Sequence, residues 1–222
     1  MTGRIILLRH GQTFSNIDRI MDTRPPGAEL TERGRGQAED VGRELAELCA
    51  GRRVRFVCSI ALRAQQTAML AARTYGEAAD ERNVSVEVRV GLHEVFAGEH
   101  EMSGSEDTHR EYMVALRGWL DGDEAARMPG GESYVDVLER YQPVLEDLAA
   151  ELEDDEDIVV VSHGAAIRVV TRHACGVDPD FAYTGYMPNC RFTLMEPQGQ
   201  AFWPVDAEAL GGYRGLVSLW LR

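Results

Sequence analysis

Residues 5–11 read IILLRHG, an apolar run that ends in an arginine, a histidine and a glycine. Four consecutive apolar residues are typical of a β-strand that is buried on both faces of a sheet. In open α/β sheets, ligands bind outside the carboxyl ends of the strands. Because Arg9, His10 and Gly11 follow such an end, the stretch predicts a buried strand that leads directly into a ligand site.

Three further segments repeat this pattern of a strand followed by residues that can do chemistry. Residues 54–58, VRFVC, predict a strand. Residues 84–90 alternate valines with polar residues, which predicts a half-buried strand, and residues 158–161 are wholly apolar. Residues 191–195 predict a fifth strand. The residues that follow the strands are Ser59 and Arg63 after 54–58, His93 and Glu94 after 84–90, and Ser162, His163 and Gly164 after 158–161.

Helical spacing fills the intervals between the strands. Thr31 is a candidate N-cap for a helix that runs to about Cys49, and Gly76 is a candidate C′ residue for a helix over 64–75. Further helices are predicted over 108–121, 132–152 and 165–175. Alternating strands and helices predict right-handed crossovers, and hence an α/β three-layer sandwich with a mainly parallel central sheet and helices on both faces.

Length and composition agree with one globular domain. The chain has 222 residues, of which 44% are hydrophobic and 27% charged, so a largely disordered chain is excluded. The four cysteines lie far apart, and their spacing predicts neither a disulfide framework nor a zinc site. The N-terminus has no long apolar segment, and no stretch approaches about 18 apolar residues. We therefore expect a cytoplasmic enzyme or binding protein.

The charge of the chain bears on its partners. Against 23 Lys and Arg stand 37 Asp and Glu, a net charge of −14. This argues against nucleic acid or an anionic membrane as partner, since both need a basic surface. Six carboxylates fall within residues 151–157, and because like charges repel and stay hydrated, a solvated loop is predicted there.

The predicted strand ends bring five candidate site residues to one edge of the sheet: Arg9, His10, Arg63, Glu94 and His163. Arginines and histidines hold a compact anion, a histidine can act as a nucleophile, and a carboxylic acid can protonate a leaving group. Each residue alone has an ordinary explanation as a surface charge or a hydrogen-bonded structural histidine. Their convergence from four strand ends indicates a phosphoryl-transfer site.

Six motifs follow one another along about three-quarters of the chain. They are LRHGQT at 8–13 with Asn16 beyond it, LTERGRGQA at 30–38, SIALRAQQTA at 59–68, GLHE at 91–94, GES at 131–133 and VSHG at 161–164. This ordered set resembles the motifs of the histidine phosphatase superfamily, in its phosphoglycerate-mutase-like branch 1. One departure is an extra residue between Ser59 and Leu62.

The resemblance implies a phosphoglycerate-mutase-like fold in a single domain over 1–222, with a helical cap inserted at about 96–130. It implies that His10 is the phosphorylated nucleophile and that Glu94 is the proton donor. The phosphoryl-binding residues it implies are Arg9, Gly11, Asn16, Arg63, His163 and Gly164. Arg9 and Arg63 would also keep His10 unprotonated, and Gly11 would let the backbone approach the phosphate closely. Neither a metal nor a cofactor is expected, because the guanidinium and imidazolium groups supply the positive charge.

The predicted reaction is hydrolysis of a phosphate monoester, either a small phosphorylated metabolite or a phosphoprotein, through a phosphohistidine. The family's cofactor-dependent phosphoglycerate mutases carry an arginine and an aromatic–glycine pair after the acid, and then a longer insertion. Here VFAGEH follows Glu94, and about 36 residues separate Glu94 from Gly131. Hydrolysis is therefore favoured over mutase activity. The Gly-x-Trp-Glu-Gly sequence of many phosphatases of the family is also missing, which leaves the substrate open.

Two interpretations from other classes stay open. One is a non-catalytic regulator that binds a phosphorylated ligand, and the other is a zinc hydrolase built on His10, Glu94 and His163. A homodimer is also open, with the segment around Trp220 as a candidate contact. The candidates for contact with a second anion on the substrate are His100, His109, Arg110, Arg117 and Arg127.

Overall fold

A single six-stranded sheet forms the centre of the protein. The computed structural model describes residues 3–81, 83–197 and 213–216, the last four by their backbone alone. The strands are β1 Arg4–Arg9, β2 Arg53–Ser59, β3 Val86–Arg89, β4 Glu156–Ser162, β5 Phe192–Pro197 and β6 Tyr213–Leu216. Their order across the sheet is β3-β2-β4-β1-β5-β6. The first four are mutually parallel, and β5 and β6 join as antiparallel strands.

Helices cover both faces of this sheet. They are α1 Phe14–Ile17, α2 Glu32–Leu48, α3 Leu62–Ala79, α4 Glu106–Asp121, α5 Tyr134–Glu151, α6 Gly164–Cys175 and α7 Pro179–Thr184, with a 3₁₀ turn at Gly98–His100. Thr31 caps α2 as predicted, because its side chain accepts a hydrogen bond from the backbone of Gly34. Among the described residues, no helix combines the length and apolarity needed to cross a membrane.

Successive side chains of β1 point to opposite faces of the sheet and pack against helices on both sides. Ile5 and Leu7 pack with residues of α4, α5 and α6 on one face, whereas Ile6 and Leu8 pack with residues of α2 and α3 on the other. Side chains of β1 from 5 to 8 are fully buried. The apolar run that opened the sequence therefore lies at the centre of the sandwich, and the predicted three-layer α/β architecture is confirmed.

The strand predicted at 84–90 is shorter and more exposed than expected. It spans Val86–Arg89 and pairs with β2 at the edge of the sheet. Val88 is 47% exposed and Val90 72%. A groove of about 760 Å³ lies between this strand and α3, so the helix does not cover the strand. The alternating pattern identified a strand correctly, but its apolar face borders a groove instead of the core.

The helix predicted to stop at Gly76 continues to Ala79. Asp80 adopts the left-handed backbone (φ 54°) that ends the helix. Instead, Gly76 allows the backbone of Glu81 to pass close by, since a Cβ at position 76 would lie 2.6 Å from the Glu81 carbonyl oxygen. The Glu81 N–H donates to the Gly76 carbonyl at 2.9 Å. The glycine lets the chain fold back over the last turn of the helix.

The acidic run at 151–157 is only partly the solvated loop that was predicted. Its last member, Asp157, is the second residue of β4 and is fully buried. Asp157 Oδ1 accepts hydrogen bonds from Arg4 Nε and Arg52 Nε, each at 2.8 Å. Two arginines thus balance the charge of a buried carboxylate, at the end of the sheet opposite Arg9. The charge pattern of the sequence alone could not show this contact.

Replacing Asp157→Asn is expected to lower the free energy of unfolding by about 3 kcal/mol, because two guanidinium groups lose the carboxylate that balances their charge. Asp154→Asn, a matched change in the exposed part of the run, is expected to stay within about 0.5 kcal/mol of the parent. Urea unfolding of the three proteins measures both. Equal stability of the two variants would contradict the assigned ion-pair cluster.

Candidate active site

A cavity of about 240 Å³ opens at the carboxyl ends of the parallel strands. Five of the predicted residues line it: Arg9, His10, Asn16, Arg63 and Glu94. His163 is fully buried behind them, with its ring centre 5.2 Å from that of His10. The structure therefore brings together the residues that the sequence placed at four separate strand ends.

Hydrogen bonds define which nitrogen of His10 carries the proton and which carries the lone pair. His10 Nδ1 lies 2.7 Å from the carbonyl oxygen of Gly11, so it carries the proton and donates. The other nitrogen, Nε2, is therefore an acceptor, and Arg63 Nε donates to it at 3.2 Å. His10 Nε2 is therefore the unprotonated nitrogen, and its lone pair faces the Arg63 guanidinium.

Both histidines are held uncharged. Burial lowers the pKa of His10 well below its ordinary value, and the charges of Arg63 and then Arg9 lower it further. Burial likewise lowers the pKa of His163, with Arg63 as the next cause. The sequence attributed the neutral state of His10 to the arginines, and the structure adds burial as the larger cause.

Three buried donors around His10 have no hydrogen-bond partner in the described part of the chain. They are Arg9 Nε, Arg63 Nη1 and His163 Nδ1. Ser59 Oγ accepts from the Ala61 N–H at 3.3 Å, and we assign its own O–H as the donor to His163 Nε2 at 2.9 Å, so that the proton is on Nδ1. A buried donor without a partner costs about 1–3 kcal/mol. A ligand with several anionic oxygens would satisfy all three donors together.

The Glu94 carboxylate is anchored to the start of α6. Its Oε1 accepts from the backbone N–H of Val95 and of Ala166, both at 2.9 Å, and its Oε2 accepts from that of Ala165 at 3.1 Å. Because His163 is the N-cap of the same helix, these bonds hold the carboxyl in a fixed position relative to His163.

Asn16 is oriented by a residue that sequence reasoning missed. Its Oδ1 accepts from the Thr13 backbone at 3.2 Å and from Asn189 Nδ2 at 3.1 Å. Asn189 Nδ2 also donates to the His10 carbonyl at 3.0 Å. With its oxygen occupied twice, Asn16 has its amide nitrogen left as a donor. Asn189 carries no charge and ends no apolar strand, so no signal used above marks it.

Arg140 was also missed, and it supports the segment that carries Glu94. Its guanidinium donates to the carbonyls of Gly91, His93 and Glu94 at 2.7, 2.8 and 3.1 Å. It is also paired with the carboxylate of Glu132, at 2.8 Å. Arg140 lies inside a long helix, where an arginine is most often a surface residue. Its partner Glu132 belongs to the GES motif at 131–133, which the sequence did show.

The two predicted glycines are needed for close packing. A Cβ at Gly11 would lie 2.5 Å from the Gly34 carbonyl oxygen, and the Gly11 N–H donates to Thr67 Oγ1 at 3.0 Å. The structure thus places Gly11 against α2, with its N–H already engaged. At Gly164, a Cβ would lie 3.2 Å from Arg9 Nε. Gly164 leaves room for the arginine that faces the cavity.

In the described residues, no group of three or more His, Cys, Asp and Glu side chains is arranged to hold a metal ion. The zinc interpretation required His10, His163 and Glu94 around one ion. Instead, His163 contacts Ser59, His10 contacts Arg63, and Glu94 contacts the backbone of α6.

Comparison with known proteins gives consistent results. The profile of the histidine phosphatase superfamily (branch 1) matches residues 5–208. The chain is 31% identical to a glucosyl-3-phosphoglycerate phosphatase of Mycolicibacterium vanbaalenii, over 98% of this chain and 93% of that one. It is 30% identical to 2,3-bisphosphoglycerate-dependent phosphoglycerate mutase 2 of Gloeobacter violaceus, over 79% and 77%. The structure of a mycobacterial glucosyl-3-phosphoglycerate phosphatase in complex with VO3 superposes with a TM-score of 0.70 at 28% identity, over 88% and 93%.

The lowered histidine pKa values predict how stability depends on pH. Below about pH 6.5 the unfolded chain protonates His163 whereas the folded protein does not, so the free energy of unfolding falls as pH falls. Each such histidine contributes a slope of about 1.4 kcal/mol per pH unit. His163→Gln is expected to reduce the slope between pH 6 and 5 by about that amount, as measured by urea unfolding. An unchanged slope would show that His163 is protonated in the folded state.

Proposed function

The chain belongs to the histidine phosphatase superfamily, branch 1, and from that premise we propose that it hydrolyses phosphate monoesters through a phosphohistidine at His10. One observation carries the proposal. The unprotonated Nε2 of a neutral, buried histidine lies among three buried donors that lack partners. Such a set fits a phosphoryl group, which brings three peripheral oxygens to the nucleophile.

The first step transfers the phosphoryl group to the enzyme. Arg9 Nε, Arg63 Nη1 and His163 Nδ1 bind its oxygens, and the Asn16 amide is a fourth donor. His10 Nε2 attacks phosphorus, the bond between phosphorus and the ester oxygen breaks, and Glu94 gives its proton to that oxygen. The products are an alcohol, a Glu94 carboxylate and phosphohistidine. Throughout, the proton on His10 Nδ1 stays hydrogen-bonded to the Gly11 carbonyl.

The second step returns the enzyme to its starting state. A water molecule takes the place of the alcohol, and the Glu94 carboxylate accepts a proton from it as its oxygen attacks phosphorus. The bond between phosphorus and Nε2 breaks, and orthophosphate leaves. Glu94 is then protonated again, so the same carboxyl group serves as acid and as base.

The positive charge for both steps comes from side chains. Guanidinium groups at fixed positions stabilise the charge that spreads over the phosphoryl oxygens, and this is often the largest catalytic contribution. We therefore place the enzyme among metal-independent phosphatases. The net charge of −14 is screened over about 8 Å at physiological salt, so substrate binding is local and not steered over long distances.

A cavity of about 240 Å³ favours a small phosphorylated metabolite over a folded phosphoprotein. Cytoplasmic location fits such a substrate. The named relatives include both phosphatases and mutases. Hydrolysis is the reaction we favour, because the short segment between Glu94 and Gly131 lacks the mutase features noted in the sequence.

The direct test is release of orthophosphate from 4-nitrophenyl phosphate and from small alkyl phosphates by the purified protein in excess EDTA. The expected result is steady turnover that added divalent metal does not increase. Loss of activity in EDTA, restored by metal, would contradict the metal-independent mechanism. A product that keeps its phosphate on another hydroxyl would identify a mutase instead.

A second test separates Glu94 from the phosphate-binding groups. Glu94→Gln keeps the shape of the side chain but removes the transferable proton, so hydrolysis of alkyl phosphates should slow by about 10²-fold or more. The first step with 4-nitrophenyl phosphate should slow much less, because that phenol leaves as an anion. Arg63→Ala is the matched control and should slow both ester classes similarly, since both bind the same phosphoryl group. Equal losses for the two esters in Glu94→Gln would remove Glu94 as the acid.

A further inference from the structure

A second carboxylate, besides that of Glu94, lines the His10 cavity. Asp22 lies in the segment between α1 and α2, and its side chain is only 7% exposed. Its Oδ2 lies 3.9 Å from Arg63 Nη1. Asp22 belongs to none of the six sequence motifs. Because a negative charge repels an anionic ligand, its place beside a phosphoryl-binding arginine needs an explanation.

Arg63 is stabilised by this carboxylate when no anion is bound. The Arg63 side chain is 3% exposed, and burial lowers the pKa of its guanidinium. The Asp22 carboxylate is the largest influence that raises this pKa, ahead of the Glu94 carboxylate. A buried charge without an opposite charge nearby is strongly unfavourable. Asp22 therefore balances the charge of Arg63 before a ligand binds.

The Asp22 carboxylate is nevertheless too far from Arg63 to accept a hydrogen bond. Their separation of 3.9 Å exceeds the distance of about 2.7–3.2 Å that is typical of N–H···O hydrogen bonds. Two other donors hold Asp22 Oδ2, namely Ser15 Oγ at 2.8 Å and the Ala28 N–H at 2.7 Å. Arg63 Nη1 accordingly has no acceptor among the described residues. The carboxylate supplies charge without occupying the donor that a phosphoryl oxygen would use.

The backbone of the same segment fixes this separation. Gly27 has a left-handed backbone (φ 67°), and it packs so closely against the guanidinium that a Cβ there would collide with Arg63 Nη1. The Pro26 carbonyl accepts from the Leu62 N–H at 2.8 Å. Because Arg63 follows Leu62 in α3, this bond ties the segment to the helix that carries the arginine.

The residue that follows Asp22 is held as well. The Thr23 N–H donates to Glu101 Oε1 at 2.7 Å, and Thr23 Oγ1 accepts from the Ala97 N–H at 3.0 Å. Thr23 is therefore attached to the segment that leads into the 3₁₀ turn and to the residue that follows that turn. With these bonds next to it and two on its own carboxylate, Asp22 has little freedom to move toward Arg63.

A fixed carboxylate at this position acts on any anion that Arg63 binds. Two negative charges beside one guanidinium repel each other, and inside a protein salt screens this repulsion only weakly. Asp22 therefore lowers the affinity of the site for a phosphoryl group. Orthophosphate, the product, carries the same group as the ester and must leave before the next turnover. Lower affinity favours its release, whereas tighter binding of ester and transition state alike would not raise kcat.

We propose that Asp22 is a positioning residue that acts through Arg63: its restrained carboxylate balances the guanidinium before the ester binds and weakens the binding of orthophosphate after the reaction. The hydrogen bond from Ser15 is the restraint that keeps this carboxylate from Arg63 Nη1. The inference rests on the proposed phosphatase reaction and adds control of product release to it.

The first variant is Asp22→Asn, which keeps an oxygen that can accept from Ser15 and Ala28 but removes the charge. Calorimetric titration with inorganic phosphate gives Kd, and inhibition of 4-nitrophenyl phosphate hydrolysis by phosphate gives Ki. Both should fall by about tenfold, equivalent to about 1.4 kcal/mol, because phosphate then becomes the main counter-charge of Arg63. A residue that only supported the fold would raise Kd when replaced. An equal or higher Kd in Asp22→Asn would overturn the inference.

The second variant, Ser15→Ala, tests the restraint and should change Kd in the opposite direction. Without the Ser15 hydrogen bond, the Asp22 carboxylate can approach Arg63 Nη1 and compete with phosphate, so Kd should rise by about fivefold. In the Asp22→Asn background the same change should alter Kd by less than about twofold, because no carboxylate remains to compete. Equal effects of Ser15→Ala in the two backgrounds would overturn the assigned restraint.

Asp18→Asn is the matched control, since it removes the same charge from an exposed side chain at the end of α1. Its Kd for phosphate should equal that of the parent. A parent protein that binds phosphate but does not hydrolyse 4-nitrophenyl phosphate would overturn the proposed function, while a lower Kd in Asp22→Asn would still establish the counter-charge. A parent protein that binds no phosphate would overturn both.

Discussion

In the reaction that we propose, cations hold the phosphoryl group, yet the histidine that attacks it must stay uncharged among them. The protein meets both demands by burying His10 beside Arg9 and Arg63. Burial and the two positive charges act in the same direction on the pKa of the imidazole. The Gly11 carbonyl accepts a hydrogen bond from Nδ1–H, so the lone pair is on Nε2, the nitrogen nearest Arg63. The rest of the structure serves to keep these groups in place.

The sheet and its helices supply that rigidity. β1 lies fully buried between two hydrophobic clusters, so the backbone that ends at Arg9 and His10 has little freedom to move. The first turn of α6 anchors the Glu94 carboxylate through backbone donors. Asn189 and Arg140 then hold the Asn16 side chain and the backbone around Glu94. These contacts thus fix the positions of Glu94, His10 and the donors around them relative to one another.

Much of this arrangement could be predicted, because strand ends and motifs are local features of a sequence. Arg63, Glu94 and His163 each follow a strand directly or within a few residues, and the parallel sheet brings them together. Asn189 could not be predicted, since its contacts with His10 and Asn16 depend on how a distant loop folds back. Asp157 was missed for a related reason. A run of carboxylates shows its total charge, but only the register of β4 shows which carboxylate points inward to Arg4 and Arg52.

The site therefore has two parts that differ in kind. The part around His10 follows from motifs that resemble a whole family, and it supports the reaction that we propose. The outer part, lined by Ile20, Met21, Val95 and Met128, consists of residues that belong to none of those motifs.

The central claim is that His10 Nε2 becomes covalently phosphorylated. Rapid acid-free quenching of the enzyme during turnover of 4-nitrophenyl phosphate, followed by peptide mapping and ³¹P NMR of the trapped protein, tests it most directly. The account predicts one phosphoryl group on Nε2 of His10, labile in acid and absent from His10→Gln. Full turnover without a phosphoenzyme, or phosphate found on another residue or on His10 Nδ1, would contradict it.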